Sequence, residues 1–249
     1  MTSVIDINVH ETSYQDATSR ICTWAKAGES RAVYATSVHG AVEAHDYPEF
    51  RKIINRADLI TPDGMPLVWM LRLKGIRNQQ RVYGPTLMLH VLEMAARELI
   101  PVGFYGGKRD VLDSLNERMK SLYPSLQVNY AFNPPFRELS EAETNQVQEE
   151  IIQSGARILF VGLGCPRQEI WIDSQRGVIP AVMIGVGAAF DFHAGQKPQA
   201  PLWLQKSGME WFFRLLSEPH RLWRRYFSIV PRFLLYAVVD LLGWMKKVN

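Results

Sequence analysis

The chain has 249 residues, of which 47% are hydrophobic and 21% charged, so it can bury a substantial core and does not have the composition of a disordered protein. Its net charge of +3 is unevenly divided. Residues 197–249 contain nine Lys or Arg and three Asp or Glu, whereas the preceding residues carry a small negative excess. This basic tail predicts a partner with negative charge, either nucleic acid or an anionic lipid surface.

The cysteines and the apolar segments bear on the cellular compartment. Cys22 and Cys165 lie far apart in the sequence and lack the spacing of a metal site, which favours a reducing, cytosolic environment. The first residues lack the basic and then apolar pattern of a signal peptide, and no run of 18 apolar residues occurs. We therefore expect neither a secreted protein nor an ordinary membrane-spanning helix.

Short apolar segments alternate with longer segments of helical periodicity from residue 32 onward. The predicted strands cover residues 32–36, 58–61, 101–105, 127–131, 157–162 and 181–185. The predicted helices cover residues 41–54, 65–73, 85–99, 109–122, 140–153 and 167–175, and a capping box of Ser140 and Glu143 begins the fifth. This alternation predicts an α/β fold with a Rossmann-like, mostly parallel sheet flanked by helices, and with ligand sites at the carboxyl ends of the strands.

The character of the sequence changes after residue 196. Pro198 and Pro201 interrupt the chain, and a segment rich in Trp, Phe, Arg and Leu follows. We therefore predict an α/β domain over residues 1–196 and a basic-aromatic, helical C-terminal appendage over residues 197–249.

The appendage has one apolar face. After Pro231, apolar residues recur at helical spacing, and Asp240 interrupts the run. This pattern favours a helix that lies in the membrane interface with its arginines near lipid phosphates. The alternatives are a helix packed on the rest of the chain or on another subunit. A basic-aromatic segment also suits single-stranded nucleic acid, but no recognised nucleic-acid motif accompanies it, so we expect no nucleic-acid partner.

The strongest candidate for chemistry is Asp63, which follows a predicted strand. Pro62 holds the preceding residue extended, and Gly64 lets the backbone approach a ligand closely. The carboxylate is suited to act as a general base that deprotonates a hydroxyl group. The alternative is that Asp63 caps the helix that begins near Met65.

Glycine-rich turns follow two further predicted strands. Gly106 and Gly107 form one of them, and Gly164 precedes a helix whose free N–H groups suit a phosphate. Gln168 and Glu169, in the first turn of that helix, are candidates to bind a sugar or a uracil edge. Tight turns that need no ligand are the alternative in both places.

Five motifs occur in an order that resembles the WecG/TagA/CpsF family of bacterial glycosyltransferases, from about residue 33 to residue 227. Each motif is weak by itself, but the five in this order are specific. They are Asp-Leu-Ile-Thr-Pro-Asp-Gly-Met-Pro at 58–66, Arg-Val-Tyr-Gly at 81–84, Phe-Tyr-Gly-Gly at 104–107, Val-Gly-Leu-Gly-Cys-Pro-Arg-Gln-Glu at 161–169, and the arginine-aromatic segments at 208–215 and 218–226.

The resemblance implies an enzyme that transfers a sugar from a UDP-sugar to a polyprenyl-diphosphate-linked saccharide. Transfer is expected to invert the anomeric carbon and to need no metal or other cofactor. Members of the family act in the synthesis of exopolysaccharide, capsule or cell-wall glycan. The expected location is therefore the cytoplasmic face of the plasma membrane, where the anionic surface is a partner of a peripheral protein.

The resemblance also implies roles for individual residues. Asp63 corresponds to the proposed catalytic base of the family, and Arg214 of the appendage is expected to complete the active site. The residues expected to contact substrate are Gly64, Gly106, Gly107, Gly164, Gln168, Glu169, Arg221 and Arg224.

One strand end departs from the family pattern. Many members carry Thr-x-Asn there, whereas this chain has Ala35 and Ser37 at the corresponding positions. Thr36, Ser37 and His39 are still expected near the donor or acceptor sugar, with a structural histidine as the alternative for His39. The departure puts the usual N-acetylmannosamine donor in doubt, and glucose is among the other sugars to consider.

Two other functions are open. A nucleotide-sugar epimerase or dehydrogenase would need a Gly-x-Gly-x-x-Gly turn after the first strand, which the region after Thr36 lacks. A membrane adaptor without catalytic activity would bind no UDP-sugar. The sequence leaves open the donor, the acceptor glycan, the linkage and the oligomeric state, although an apolar face on the appendage allows self-association.

Overall fold

The computed structural model describes residues 1–248. Its strands are β1 (Thr2–Val4), β2 (Ile7–Val9), β3 (Arg31–Thr36), β4 (Leu59–Pro62), β5 (Val102–Gly106), β6 (Val128–Phe132), β7 (Ile158–Gly162) and β8 (Val182–Gly185). Its helices are α1 (Tyr14–Lys26), α2 (Val38–Asp46), α3 (Pro48–Asn55), α4 (Met65–Leu73), α5 (Gly84–Glu98), α6 (Arg109–Leu122), α7 (Glu141–Ser154), α8 (Arg167–Gln175), α9 (Ala189–His193), α10 (Leu202–Lys206), α11 (Glu210–Ser217) and α12 (Pro219–Val248).

Within residues 1–248, six of these strands form one parallel sheet. Their order is β4-β3-β8-β7-β5-β6, and every neighbouring pair is parallel. All six carboxyl ends therefore meet at one edge. β1 and β2 form a separate antiparallel hairpin. The predicted α/β fold, with a parallel sheet, flanking helices and a helical C-terminal segment, is confirmed.

The core lies on both faces of this sheet. Successive residues of β7 alternate between the faces: Leu159 and Val161 pack with residues of α2 and α8, whereas Ile158 and Phe160 pack with residues of α1, α5 and α6. Strands that are buried on both faces are typical of parallel sheets and explain the continuous apolar runs in the sequence. The helical layers leave the carboxyl edge as the place where polar side chains can gather.

Three regions differ from the sequence prediction. The predicted helix over residues 41–54 is two helices, α2 and α3, which meet at Tyr47. Pro48 takes the first position of α3, because it lacks the N–H that a continuous helix would need there. The elements β1, β2 and α1, and the short helix α9, are not among the predicted ones. β1 and β2 have three residues each, which is too few to show a period of two.

The helix α12 is 30 residues long and continues through Pro231. By length and composition alone, Pro219–Lys246 could cross a membrane, contrary to the sequence expectation. The sequence expectation required an unbroken run of apolar residues. The mean hydropathy of a long segment can be high even when the segment contains isolated charged residues, as it does here. The helix packs on α2 and α4 and buries Leu222, Ile229 and Phe233. One of its faces therefore belongs to the core.

Polar contacts fix the C-terminal half of α12 to the body. Lys74 Nζ donates hydrogen bonds to Asp240 Oδ2 (2.6 Å) and to the carbonyl of Ser3 (2.7 Å). The same Asp240 oxygen accepts from the backbone N–H of Ile5 (3.1 Å). Asp240, which only interrupts the apolar pattern in the sequence, thus attaches the helix to α4 and to the β1–β2 hairpin.

A second set of contacts lies one and two turns earlier. Arg232 forms an ion pair with Asp46 at the end of α2, and the Tyr236 hydroxyl donates to the same carboxylate (2.7 Å).

The opposite face of α12, which we call the outer face, is exposed and apolar. Its residues are Trp223, Phe227, Val230, Leu234, Val238, Leu242 and Met245.

Candidate active site

Asp63 lies at the carboxyl edge of the sheet, directly after β4. Its backbone N–H donates to the carbonyl of Thr36 at the end of β3 (3.0 Å), and its Oδ1 accepts from the N–H of Gly84 (2.8 Å). Gly84 is the first residue of α5, so the carboxylate lies at the positive end of that helix. The alternative that Asp63 caps α4 is wrong, because Gly64 is the N-cap of α4 and no side chain caps that helix in the described structure.

The surroundings of Asp63 raise the pKa of its carboxyl group to about 6. Burial is the largest cause, and the negative charge of Glu210 acts in the same direction. Arg81, the N–H of Gly84 and Arg214 act in the opposite direction. With a pKa near 6 the carboxyl group is mostly ionised at neutral pH and is still a better proton acceptor than an ordinary aspartate. The bond from Gly84 engages Oδ1, which leaves Oδ2 for a substrate hydroxyl.

A polar network joins Asp63 to α11. Arg81 donates from Nε to the backbone carbonyl of Asp63 and from Nη2 to Glu210 Oε2 (2.7 Å). The Tyr83 hydroxyl donates to the other oxygen of Glu210 (2.9 Å), and the Arg81 guanidinium lies 4.1 Å from the centre of the Tyr83 ring. Glu210 is buried, so the first turn of α11 is held beside the base.

Arg81 and Glu210 are not among the predicted site residues, although both lie in the quoted motifs. Arg81 begins the Arg-Val-Tyr-Gly motif, and Glu210 belongs to the arginine-aromatic segment at 208–215. Nothing in the spacing of these motifs shows that the two side chains meet, because the two positions are 129 residues apart in the sequence. Arg81 itself donates to the backbone of Asp63, so the contact between motifs is found only in the folded chain.

The end of β3 brings predicted residues next to Asp63. Thr36 is buried, and its Oγ1 has no hydrogen-bond partner among the residues that the structure describes. Ser37 is the N-cap residue of α2, yet its hydroxyl makes no cap hydrogen bond within the described chain. A Cβ atom placed on Gly64 would lie 3.7 Å from Ser37 Cα, so the turns after β3 and β4 are in contact. Both hydroxyl groups therefore retain hydrogen-bonding capacity at this edge, although Thr36 Oγ1 is inaccessible to solvent.

His39, in the first turn of α2, is uncharged at neutral pH. Burial lowers its pKa to about 4, and the positive charges of Arg225 and Arg232 act in the same direction. Its Nε2 lies 3.4 Å from Glu43 Oε1, one turn further along the helix. A neutral imidazole can still form a hydrogen bond with a sugar hydroxyl, so the predicted sugar contact of His39 stays a prediction beside the structural alternative.

The turn between β7 and α8 is closed by its own side chains. Gln168 Oε1 accepts from the N–H of Gly187 (3.0 Å), and Gln168 Nε2 donates to Glu169 Oε1 (2.8 Å). Both side chains are buried, and burial is the main cause of the raised pKa of Glu169. In the described part of the chain Glu169 Oε2 has no hydrogen-bond partner. Gln168 thus joins two loops of the site, and Glu169 retains one oxygen that a bound substrate can satisfy.

Cys165 lies beside Glu169 in the same turn. Burial raises the pKa of its thiol well above the usual range, and the negative charge of Glu169 adds to this effect. The thiol therefore stays protonated at neutral pH and is a poor nucleophile.

Two of the predicted site glycines, Gly106 and Gly164, have different structural roles. A Cβ atom on Gly106 would lie 2.8 Å from the backbone carbonyl carbon of Gly162, so the ends of β5 and β7 could not approach as they do. Packing therefore explains Gly106, and the same turn continues through Gly107. Gly164 has a φ of +78°, and the described residues leave open space where its Cβ would stand. Gly164 thus offers a ligand an approach to the backbone.

The appendage arginines occupy different environments. Arg214 in α11 is half-buried, lies 5.7 Å from the centre of the Phe192 ring, and lowers the pKa of Asp63 through its charge. The charge of this predicted residue therefore acts on the candidate base, and its role in the reaction stays a prediction.

The other two predicted arginines lie at the surface of α12. Arg221 is exposed and pairs with Glu218, with Nε 3.0 Å from Oε1. Arg224 is exposed, and its guanidinium lies 5.3 Å from the centre of the Trp223 ring. By contrast Arg225, which is not among the predicted site residues, is half-buried.

Comparison with known proteins adds to this geometry. The model of the Glycosyl transferase WecG/TagA/CpsF family matches residues 2–247. The chain belongs to this family. The relatives include an N-acetylglucosaminyldiphosphoundecaprenol N-acetyl-beta-D-mannosaminyltransferase of Bacillus subtilis (strain 168), which is 31% identical over 201 residues, covering 80% of this chain and 75% of that protein. An enzyme of the same name from Bacillus spizizenii is 32% identical over 192 residues, covering 77% of this chain and 72% of that protein.

The family motifs of this WecG/TagA/CpsF glycosyltransferase meet at the carboxyl edge of the sheet. The motif at 58–66 supplies Asp63. The motif at 81–84 supplies Gly84, whose N–H binds the Asp63 carboxylate, and Arg81, which binds the Asp63 carbonyl. The segment at 208–215 supplies Glu210 and Arg214. The resemblance predicted from the sequence is confirmed. In the part of the chain that the structure describes, no three His, Cys, Asp or Glu side chains form a group that could hold a metal ion. Metal independence itself stays a prediction.

Proposed function

We propose that the protein is an inverting glycosyltransferase that moves a sugar from a UDP-sugar to a polyprenyl-diphosphate-linked saccharide. The observation that carries this proposal is Asp63, a half-buried carboxylate with a pKa near 6 and a free Oδ2 at the carboxyl edge of a glycosyltransferase family member. Both relatives bear the name of an enzyme that acts on N-acetylglucosaminyldiphosphoundecaprenol, which supports the acceptor class.

In the proposed reaction, Asp63 Oδ2 accepts the proton of an acceptor hydroxyl. The hydroxyl oxygen forms a bond to the anomeric carbon on the side opposite to UDP. The bond between this carbon and the diphosphate oxygen breaks, and its electron pair leaves with UDP. A single displacement of this kind inverts the anomeric configuration. Negative charge develops on the diphosphate, and Arg214 is the side chain near Asp63 that is suited to stabilise it without a cofactor.

The donor sugar is proposed to lie at the end of β3. Thr36 Oγ1 lacks a partner in the described residues, and the Ser37 hydroxyl makes no cap bond there, so both can bind sugar hydroxyls. The relatives are named for transfer of N-acetylmannosamine. Because Ala35 and Ser37 stand where many family members have Thr and Asn, we keep other UDP-hexoses, glucose included, among the donors to test.

We also propose that the protein is peripheral at the cytoplasmic face of the plasma membrane and acts in exopolysaccharide, capsule or cell-wall glycan synthesis. A polyprenyl-linked acceptor remains in the membrane, so the active site must work beside it. Asp240 and Arg232 hold α12 on the body, which favours docking over spanning. The apolar outer face and the neighbouring arginines suit an interfacial helix on anionic lipid.

The transfer assay tests this function. The protein is incubated with vesicles that contain N-acetylglucosaminyldiphosphoundecaprenol and, in parallel, with UDP-N-acetylmannosamine, UDP-N-acetylglucosamine or UDP-glucose. We expect release of UDP with transfer from at least one donor, and a loss of rate of about 10²-fold or more in Asp63→Asn. An unchanged rate in this variant would show that Asp63 is not the catalytic base. No transfer from any donor would contradict the proposed function.

Two further measurements on the same preparation separate the alternatives. A dehydrogenase or epimerase would carry a nicotinamide cofactor, which absorbance detects. An adaptor without catalytic activity would gain no thermal stability from UDP, whereas a transferase that binds UDP unfolds at a higher temperature in its presence.

A further inference from the structure

The segment that carries the partners of Asp63 is attached to the start of α1. Residues 79–84 lead from α4 into α5 and supply hydrogen bonds to Asp63 and to Glu210. Two side chains, one near each end of the contact, join this segment to residues 12–14. None of the five family motifs includes residues 12–14. The N-terminal part of the chain therefore bears on the geometry of the site.

Gln79 forms the first of these links. Its Oε1 accepts from the backbone N–H of Thr12 (3.2 Å), and its Nε2 donates to the carbonyl of the same residue (2.7 Å). The side chain is buried, so water does not compete for either bond. This reciprocal pair fixes the beginning of the segment to the backbone that enters α1.

Tyr14 forms the second link, at the end of the segment. Its hydroxyl oxygen accepts from the backbone N–H of Tyr83 (3.0 Å), the N-cap residue of α5. The next residue, Gly84, donates its N–H to Asp63 Oδ1 (2.8 Å), and Pro85 after it has no N–H. The first N–H groups of a helix have no partner within the helix. At α5 two successive ones are thus satisfied by two different elements, α1 and the end of β4.

These two hydrogen bonds depend on each other. The carbonyl of Tyr83 and the N–H of Gly84 belong to one planar peptide group, so they turn together. That carbonyl accepts from the N–H of Leu87 (2.8 Å) in the next turn of α5. The direction of the Gly84 N–H is therefore set by how Tyr83 is held, and the Tyr14 hydroxyl holds its N–H.

We propose that Tyr14 is a positioning residue for the base: its hydroxyl holds the start of α5 so that the Gly84 N–H points at Asp63 Oδ1. The inference rests on the proposed function, in which Asp63 Oδ2 accepts the proton of the acceptor hydroxyl. The bond at Oδ1 fixes the direction of Oδ2 and favours the ionised carboxylate. Burial raises the pKa of the Tyr14 hydroxyl, which therefore stays uncharged and acts on Asp63 through position rather than charge.

Tyr14→Phe tests the proposal. It removes the hydroxyl and keeps the ring, which packs on the core and lies 5.0 Å from the ring of His90. The rate of sugar transfer is measured as a function of pH. We expect the rising limb of kcat/KM to move to higher pH by about half a unit or more, because the N–H that favours ionisation of Asp63 is less well placed. On the plateau kcat should fall by about threefold or more, while the KM for the donor changes by less than about twofold.

Tyr123 provides the matched control. Its hydroxyl donates to the carbonyl of Leu89 (3.4 Å), so it also binds the backbone of α5, but beyond the first turn. Its ring is half-buried, as is that of Tyr14. Tyr123→Phe should leave the limb in place and kcat within about twofold of the wild type. The unfolding midpoint of both variants is measured, and each should fall by only a few degrees, about the effect of one lost hydrogen bond.

An unshifted limb in Tyr14→Phe, or an equal shift in Tyr123→Phe, would overturn the assignment. A Tyr14→Phe protein that is unfolded under the assay conditions would also overturn it, because the hydroxyl would then serve the fold as a whole. A wild-type protein that transfers no sugar would instead contradict the proposed function. The two failures are therefore distinguishable.

Discussion

The carboxylate of Asp63 titrates close to neutral pH because burial and Glu210 oppose its ionisation while Arg81, Arg214 and the N–H of Gly84 favour it. Such a balance is typical of a residue that must both lose and gain a proton during a reaction. It also has a consequence for stability. The pKa of about 6 in the folded protein exceeds the ordinary value of 3.8, so folding favours the protonated form.

This stabilisation is fully present below about pH 3.8 and is lost as the pH rises through about 6. Above pH 6 the buried negative charge therefore destabilises the fold. We expect Asp63→Asn, which retains an oxygen for the N–H of Gly84, to unfold roughly 2–4 °C above the wild type at pH 8. The difference should vanish near pH 4. Thermal unfolding at both pH values checks this, with the exposed Asp113→Asn as control, and a lower midpoint at pH 8 would contradict it.

At the residue scale, the sequence predicts Asp63 because a strand, a proline and a glycine define its place. It does not predict that Gly84 supplies the hydrogen bond, since a contact across 21 residues depends on how α5 starts. The adjacent Arg224 and Arg225 cannot be distinguished by composition either. Which of them lies toward the body of the protein depends on the phase of α12, and the packing of Leu222 and Ile229 sets that phase.

At the scale of secondary structure, α11 reaches the site through one carboxylate. Glu210 binds both Arg81 and Tyr83, and Arg214 follows one turn later on the same helix face. Glu210 is therefore a positioning residue: it holds Arg214 near Asp63 and raises the pKa of the base. Its removal should affect the pH dependence of the reaction as well as its rate.

For the wild type we expect kcat/KM to rise with pH through about 6, as Asp63 ionises. In Glu210→Gln this limb should move to lower pH, because a negative charge that opposes ionisation is gone while Arg81 remains. The rate on the plateau should fall by about tenfold, because Arg214 is less well held. The control is Glu93→Gln, which breaks an exposed ion pair with Arg97. An unshifted limb in Glu210→Gln would show that Glu210 has only a structural role.

The elements themselves follow closely from the sequence where apolar runs and caps are strong. The capping box at Ser140 and Glu143 is present, and the helix 65–73 has the predicted bounds. The misassigned helix 41–54 shows the limit, because its periodicity continues across Pro48 although the backbone turns there. The backbone conformation between two consecutive helices depends on how both pack on the core, and this packing cannot be deduced from a single sequence.

At the scale of the whole molecule, the outer face of α12 is a broad apolar surface whose helix is attached to the body. Deleting the appendage would expose core residues that pack on Ile229 and Phe233. A truncated protein would therefore lose both membrane docking and stability, and the two effects could not be separated. Charged substitutions on the outer face avoid this difficulty. Leu234 and Val238 are more than half exposed and lie one turn apart.

We expect the double variant Leu234→Glu, Val238→Glu to bind anionic vesicles about tenfold more weakly than the wild type while its unfolding midpoint is unchanged. Vesicle sedimentation measures the binding. Leu122→Glu, on an equally exposed leucine of α6, should leave it intact. Unchanged sedimentation of the double variant would refute the docking role. If the variant instead changes the mass of the protein in solution, the outer face serves self-association.

The attachment of α12 to the body orders an amphipathic substrate in the way a bilayer does. In the proposed arrangement the hydrocarbon chain of the acceptor stays in the membrane beside the outer face of the helix, and its diphosphate lies toward Asp63 and Arg214 at the carboxyl edge of the sheet. The enzyme would then meet its acceptor by diffusion in two dimensions. The concentration that governs the rate would be the number of acceptor molecules per unit of membrane area, and dilution with inert lipid would slow the reaction even though the amount per litre is unchanged.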